Sequence, residues 1–399
     1  MRLSLASVAS YGTVITANAA EGTLQLLIPP YLERSGYPVA TIGVLYALSF
    51  ATALVCRVPA GILYRGSRAR VLVAGAASVT AGLALLYLQA PGPVAFGALQ
   101  IVHGAAYAVS TTVTLAHFLA TIGEEATRGR ALAYFASALS AGFMLGNSLG
   151  GLVADHWGFG GGFSTAALLA LLGAPLAGAL PAASAPPQPA GSRPGSGRGL
   201  RYAFGDPGLL YAGLVAFLLN FLYHVPGTFF PLYALAVGLG LGEVGFIRGA
   251  FALTNTAVRG LSGLVLERVG LRPTIAVGLL CHAAALALLP SFQTFLPLLA
   301  LLLFVACWRA VVLVANTIGL AEEVNPGRVS RGLASGVFNA AQDLAGLVAP
   351  AIGGAVAAAL GLENLFRVLP IAAVMVYFLA SRAIGHPQPA AAPAESAGS

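Results

Sequence analysis

The stretch "ASAPPQPAGSRPGSGRGLRYAFGD", residues 183–206, interrupts a chain that is otherwise almost continuously apolar. Proline, glycine, serine and arginine dominate it, the composition of a solvated linker. On both sides, apolar runs of about 20 residues, long enough for a helix to cross a bilayer, follow one another with short breaks. Before the linker they fall near 4–28, 39–63, 70–89, 93–121, 128–155 and 162–181. After it they fall near 207–235, 243–266, 272–290, 294–321, 331–358 and 363–383. The pattern predicts an all-α membrane protein with twelve transmembrane helices in two pseudo-symmetric six-helix bundles. Residues 1–182 form the first bundle, 183–206 a cytoplasmic linker and 207–384 the second bundle. Residues 385–399, "GHPQPAAAPAESAGS", read as a disordered cytoplasmic tail.

Composition agrees. Of 399 residues, 58% are hydrophobic and 8% charged, with a mean hydropathy of +0.86, whereas a soluble domain carries about 25% charged residues. A transmembrane β-barrel would show short alternating segments instead, and none are present. The formal charge of +7 does not point to nucleic acid. Its basic residues are all arginine, and most lie in a few connections on one side of the predicted bundle: Arg2, Arg65, Arg68, Arg70, Arg128, Arg130, Arg193, Arg198, Arg201, Arg268, Arg272, Arg328, Arg331 and Arg382. Arg34 and Arg367 fall opposite, so both termini are expected in the cytoplasm. Cys56, Cys281 and Cys307 lie in apolar runs without metal-ligand spacing and read as small core residues. The N-terminus imitates a secretory signal, but its apolar run continues past Glu21 to Pro29, which favours an uncleaved first helix.

The two sets of runs also repeat. At an offset of 202, Asn18 matches Asn220, Pro29 and Tyr31 match Pro231 and Tyr233, and Gly43 matches Gly245. Arg57 and Gly61 then match Arg259 and Gly263. At 203, Arg128–Gly129 matches Arg331–Gly332 and Gly150–Gly151 matches Gly353–Gly354. Two like-oriented halves related by an axis along the membrane normal are a transporter architecture.

Specific motifs carry a family resemblance. "RGLSGLVLERVGLRP" from Arg259, with Gly263, Glu267, Arg268, Gly270 and Arg272 in register, resembles the loop 2–3 signature G-x-L-x-D-R-x-G-R-R of the major facilitator superfamily. "RVPAGILYRGSRARVLV" from Arg57 resembles the same signature with Arg65 in place of its acid. "GFMLGNSLGGL" from Gly142, containing Gly146 and Gly150, is similar to the glycine-rich fifth-helix motif of antiporters, with Asn147 where proline is usual. Its second-half counterpart, "GLVAPAIGG", has the proline at Pro350. The fourth-helix motif R-x-x-Q-G reads "QIVHG", placing Gln100 at the arginine and His103 at the glutamine. The "RxPxG" start and "HG" look most like bacterial efflux members, including sugar, drug and metallophore exporters. That resemblance, with the arginine-only basic usage, implies a monomeric bacterial inner-membrane exporter without cofactor or bound metal. It also implies that spans 1, 4, 7 and 10 line a cavity, spans 2, 5, 8 and 11 join the halves, and spans 3, 6, 9 and 12 face lipid.

Polar residues within the spans follow that division. Asn18, Glu21 and Gln25 form a stripe on span 1; span 4 carries Gln100, His103 and His117. Asn220 and His224 lie on span 7, Arg248 on span 8, Arg309 and Asn316 on span 10, and Asn339, Gln342 and Asp343 on span 11. The outer spans contribute His282, and Arg367 near a helix end. At about 1.5 Å per residue, Glu21 lies about 12 Å inside the outer end of its span and Asp343 about 18 Å from the cytoplasmic start of its own.

Glu21, Asp343 and His103 are therefore candidates for proton coupling. Asn18, Gln25, Gln100, Asn220, His224, Arg248, Arg309, Asn339 and Gln342 are candidates for a substrate cavity. Arg57, Gly61, Arg65, Gly146, Gly150, Arg259, Gly263, Glu267 and Arg268 are candidates for gating, the glycines by letting spans 5 and 8 slide. Fixed ion pairs of Glu21 and Asp343 with Arg248 and Arg309 are the competing reading. The expected function is proton-driven export of a small organic solute. Alternatives are a facilitator or importer without proton coupling, a lipid flippase, and a sensor or scaffold that does not transport. No glycine-rich nucleotide loop or catalytic constellation points to an enzyme.

Overall fold

The computed structural model describes residues 5–90, 92–121, 125–181, 205–323 and 331–384, and among them only helices and their connections occur. Span 1 is Leu5–Arg34, span 2 Val39–Leu63, span 3 Ala69–Leu86 and span 4 Pro93–Thr121. Spans 5 and 6 are the two arms of Glu125–Gly178, broken at Gly158, whose φ of 70° favours glycine. Span 7 is Pro207–Ala236; span 8 is Leu241–Arg259, followed after a break by the short helix Ser262–Val269. Spans 9 to 12 are Leu271–Leu288, Phe295–Glu323, Arg331–Leu360 and Leu362–Ile384. The linker residues 183–204 and the tail 385–399 lie outside the described residues, as do Arg2, Arg193, Arg198, Arg201 and Arg328.

Among the described residues, nine stretches are long and apolar enough to cross a membrane. One of them, Arg130–Gly178, holds both spans 5 and 6. Span 1 and span 8 are not among the nine. Span 1 carries Thr13, Thr16, Asn18, Glu21, Thr23 and Gln25, and span 8 carries Glu243, Arg248 and Arg259. Glu243 is exposed and caps the start of its own helix; the other groups turn toward the interior, so the low apolarity of these spans follows largely from their position. Span 1 also runs farther than residue 28, through Pro29 and Pro30 to Arg34; prolines are tolerated in transmembrane helices because neighbours satisfy the freed carbonyls. Glu21 consequently lies about 20 Å, rather than about 12 Å, from that end of the helix.

The sequence repeat becomes a repeated set of contacts. Tyr31 donates its hydroxyl proton to the Leu88 carbonyl at 3.3 Å, and Tyr233 donates to that of Pro290, also at 3.3 Å. Asn18 bonds the Val14 carbonyl at 2.8 Å, and Asn220 that of Ala216 at 2.9 Å. Span 2 packs on span 11, and span 5 on span 8, which joins the halves as expected. At the first junction Gly43 lies against Pro350 and Gly354; at the second Gly245 lies against Asn147 and Gly151. Both junctions occupy the end of the bundle away from residues 5 and 384, here called the distal side. Asp155 of span 5 reinforces it by accepting a hydrogen bond from the Leu241 backbone N–H at 3.0 Å, capping span 8 across the junction.

The glycines of "GFMLGNSLGGL" differ from expectation. Gly142, Gly146 and Gly150 lie against Ile15, Ala19 and Thr23 of span 1; Gly151 meets Leu241 and Gly245 of span 8. Their spacing of four selects one helix face, and that face seats span 1. Outer apolar side chains such as Val79, Leu171, Leu280 and Leu379 are exposed on spans 3, 6, 9 and 12, as a lipid-facing surface requires. His282 of span 9 instead points inward and is fully buried.

Candidate functional site

Below the distal junctions the halves part around a cavity of about 720 Å³, within the range of about 300–1,000 Å³ that suits a drug-sized ligand. Its walls come largely from the terminal-side portions of the spans, including Val14, Thr111, Leu115, Phe135 and Asn255. Two cross-half contacts flank it: Ser140 with Thr256, and an ion pair between Arg57 Nε and Asp343 Oδ2 at 2.8 Å. Asp343 therefore pairs with Arg57, not with Arg248 or Arg309.

Four guanidiniums line the cavity: Arg57, Arg248, Arg259 and Arg309. Arg309 is 7% exposed. Its Nη2 donates to Asn220 Oδ1 at 3.0 Å, and its guanidinium carbon stands 4.3 Å from the Tyr223 ring centroid, a cation–π contact. Its Nε and Nη1 have no hydrogen-bond partner. Arg248 bridges the halves, donating to the Gly227 carbonyl of span 7 at 2.7 Å and the Gln25 carbonyl of span 1 at 3.3 Å. Arg259 is half-buried with its Nε unpartnered. Asn18 and Asn339 complete the predicted residues on the wall.

Glu21 lies elsewhere. Its Oε2 meets His103 Nε2 at 3.0 Å, and its Oε1 accepts from Gln25 Nε2 at 2.8 Å. The other face of His103 is held by Gln100 Oε1 at 3.4 Å, which also accepts from the Tyr87 hydroxyl at 2.9 Å. Glu21, His103 and Gln100 are all buried, so this is a paired and hydrogen-bonded ionisable cluster within the first half. The expected alternative partners, Arg248 and Arg309, do not contact the carboxylate. Gly104 makes the cluster possible, since its bare backbone lies against the Ser49 carbonyl and lets span 4 close on span 2.

The cluster borders a void of about 10 Å³, the size of about one water. Tyr107 lines both this void and the large cavity, and so stands between them. Gln25 and Gln100 belong to this inner compartment and not to the cavity wall. His224 packs against Phe50, with ring centroids 4.8 Å apart, and against Tyr223 at 5.1 Å. Gln342 accepts from Asn220 at 3.3 Å, behind Arg309. Gly61, Arg65, Glu267 and Arg268 are exposed, and Gly263 has open space around it.

Tyr107, Tyr223 and Asp155 are not among the residues expected from the sequence. Two of them had signals. Gln100, His103 and Tyr107 share one helical face by their spacing of three and four. Tyr223 is the counterpart of Glu21 at the repeat offset of 202. Asp155 had none, because its partner is a backbone N–H on another span.

A model of the Major Facilitator Superfamily matches residues 11–265 and again residues 214–399. The nucleoside transporter NupG has a similar solved structure, at 14% identity, covering 96% of this chain and 99% of that one, with a TM-score of 0.78. A bacterial homologue of the human lysosomal transporter Spinster, inward-facing and unoccupied, is similar at 15% identity, with 95% and 98% coverage and a TM-score of 0.75. Its inward-facing, occupied form gives 15%, 94%, 96% and 0.73. At such identities the likeness concerns the fold. No curated protein matches the sequence.

Proposed function

Because the chain belongs to the Major Facilitator Superfamily and is a multi-pass membrane transporter, we propose that it exports a small organic solute by alternating access, driven by protons through Glu21 and His103. The observation that carries this reading is the buried Glu21–His103 pair at 3.0 Å, set one tyrosine away from a solute-sized cavity. An ionisable pair held at that depth in a bilayer is costly and marks a proton path.

The cycle follows from the geometry. With the distal junctions closed, the cavity reaches toward the side carrying the termini, which the arginine distribution assigns to the cytoplasm. Solute enters there. Arg248, from the second half, covers the Gln25 backbone beside Glu21. Rocking the halves about the cavity would part the distal junctions and draw Arg248 away, opening the cluster to the outside. Glu21 and His103 would then take up a proton as solute leaves, and return it to the cytoplasm when the halves rock back. Residues 1–182 and 207–384 act as the two moving bodies, joined by the linker. One chain supplies both walls, so a monomer suffices, in the bacterial cytoplasmic membrane.

The test uses everted vesicles with an acid interior and a pH-sensitive dye. Addition of a transported solute should collapse the gradient for the wild type and not for Glu21→Gln. Equal collapse in both would refute proton coupling through Glu21.

A further inference from the structure

The cavity holds four arginines and one carboxylate at its edge, and that carboxylate is committed to Arg57. Glu21 is committed to His103. Among the described residues, Arg248, Arg259 and Arg309 therefore meet no carboxylate. A buried guanidinium without a counter-ion is strongly unfavourable; Arg309 is buried and Arg248 and Arg259 half-buried, so the cavity keeps a demand for negative charge that is greatest at Arg309.

From this cavity we infer that the transported solute is a small organic anion with at least two carboxylate or phosphate groups, one seated on Arg309. The inference rests on the cavity being the substrate site, as proposed above. Arg309 is the anchor because it is the most enclosed of the three and is held in place by Asn220 and Tyr223. Its Nε and Nη1 are buried without a partner; each stands beside Nη2 on a different edge of the planar group, and the edge away from Asn220 has the geometry that binds a carboxylate or phosphate by paired hydrogen bonds.

A second anionic group follows from how the other cations are placed. Arg248 and Arg259 are eleven residues apart on span 8, which is close to three full turns, so they share a face about 16 Å apart along the axis. Counted from the distal ends of their own spans, Arg248, Arg309 and Arg259 lie at depths of about 10, 21 and 27 Å. The anchor's backbone thus lies in depth between those of two further arginines, and a single carboxylate would leave two of the three positive charges without a counter-charge. The rest of the wall suits an organic body: Tyr223, Phe143, Phe230 and Phe251 supply apolar faces, and Asn18 and Asn255 supply amides.

Purified full-length protein in detergent, at constant ionic strength, provides the test through ligand-induced thermal stabilisation. The panel comprises succinate, citrate and pyrophosphate, with acetate, uridine, tetraphenylphosphonium and a short-chain phosphatidate as contrasts. At least one di- or trianion should stabilise the protein, with apparent affinity about 10-fold or more above acetate. Arg309→Gln should weaken it by about 10-fold or more, and Arg367→Gln, at an exposed position, should leave it unchanged. If Arg309→Gln does not fold, Arg248→Gln and Arg259→Gln read the same loss.

Stabilisation confined to uridine or tetraphenylphosphonium, no stabilisation by any di- or trianion, or stabilisation indifferent to these arginines would overturn the inference. Phosphatidate binding in preference to every soluble anion would overturn it in favour of a lipid. No proton gradient enters the measurement, so the result stands whether or not Glu21→Gln abolishes gradient collapse.

Discussion

Gly146→Ala tests the packing that positions Glu21. Alanine is favoured over glycine inside a helix by about 1 kcal/mol. Gly75 and Gly82 of span 3 have open space where a methyl group would go, so substitution there should yield about that gain. At Gly146 the methyl would collide with the Ala19 backbone carbonyl, and a backbone atom cannot rotate aside. Forcing span 1 away from span 5 is an overpacking event of about 1–3 kcal/mol. The net result at Gly146 is a loss of up to about 2 kcal/mol, against a gain of about 1 kcal/mol at Gly75. The same displacement strains the Thr23 hydroxyl bond to the Gly146 carbonyl at 2.8 Å, and it moves Glu21, two residues beyond Ala19, relative to His103. Thermal unfolding in detergent should therefore move in opposite directions for the two substitutions, and transport should fall for Gly146→Ala alone. Equal stabilisation by both would refute the close seating of span 1 on span 5.

Two further perturbations address the gates. Asp155→Ala removes the cap that span 5 provides for span 8, worth about 0.5–2 kcal/mol, and so should shift the distal side toward open by up to about 30-fold. Spin labels at exposed Trp157 and Phe246, in a background lacking the native cysteines, should gain a longer-distance population that Asp155→Asn does not produce. Arg57 and Asp343 are partly exposed, at 37% and 19% for their side chains, so Arg57→Gln should alter thermal stability by less than about 1 kcal/mol. Its effect should fall instead on transport rate, and exchanging the two charges in a double variant should restore that rate; failure of the exchange would show that the pair itself is not what matters.

What the sequence made legible was what the bilayer and the backbone impose. Apolar length determined the spans, and the matches of Tyr31 with Tyr233 and Gly43 with Gly245 foretold contacts that recur in both halves. Pairing between side chains was less legible, because it depends on how far each helix is turned about its axis. Glu21 could be placed on a stripe with Asn18 and Gln25, but the stripe does not reveal that span 4 presents His103 to it. Gly146 and Gly151 illustrate the limit: five residues apart, they sit on different faces and meet spans 1 and 8 respectively. The arginines were found by residue type, whereas their shared lack of carboxylates emerged once Asp343 and Glu21 had been seen to pair elsewhere.

The most direct test of the account compares two transport modes of one variant, Glu21→Gln, in proteoliposomes with a labelled solute identified by the binding panel. Under the proposed mechanism, exchange of labelled for unlabelled solute needs only the cavity and the rocking of the halves, and uphill movement also needs the proton step. Glu21→Gln should retain exchange and lose proton-driven accumulation. Retention of both would contradict proton coupling at Glu21, and loss of both in a variant that still binds solute and unfolds at the wild-type temperature would make Glu21 part of the rocking motion itself.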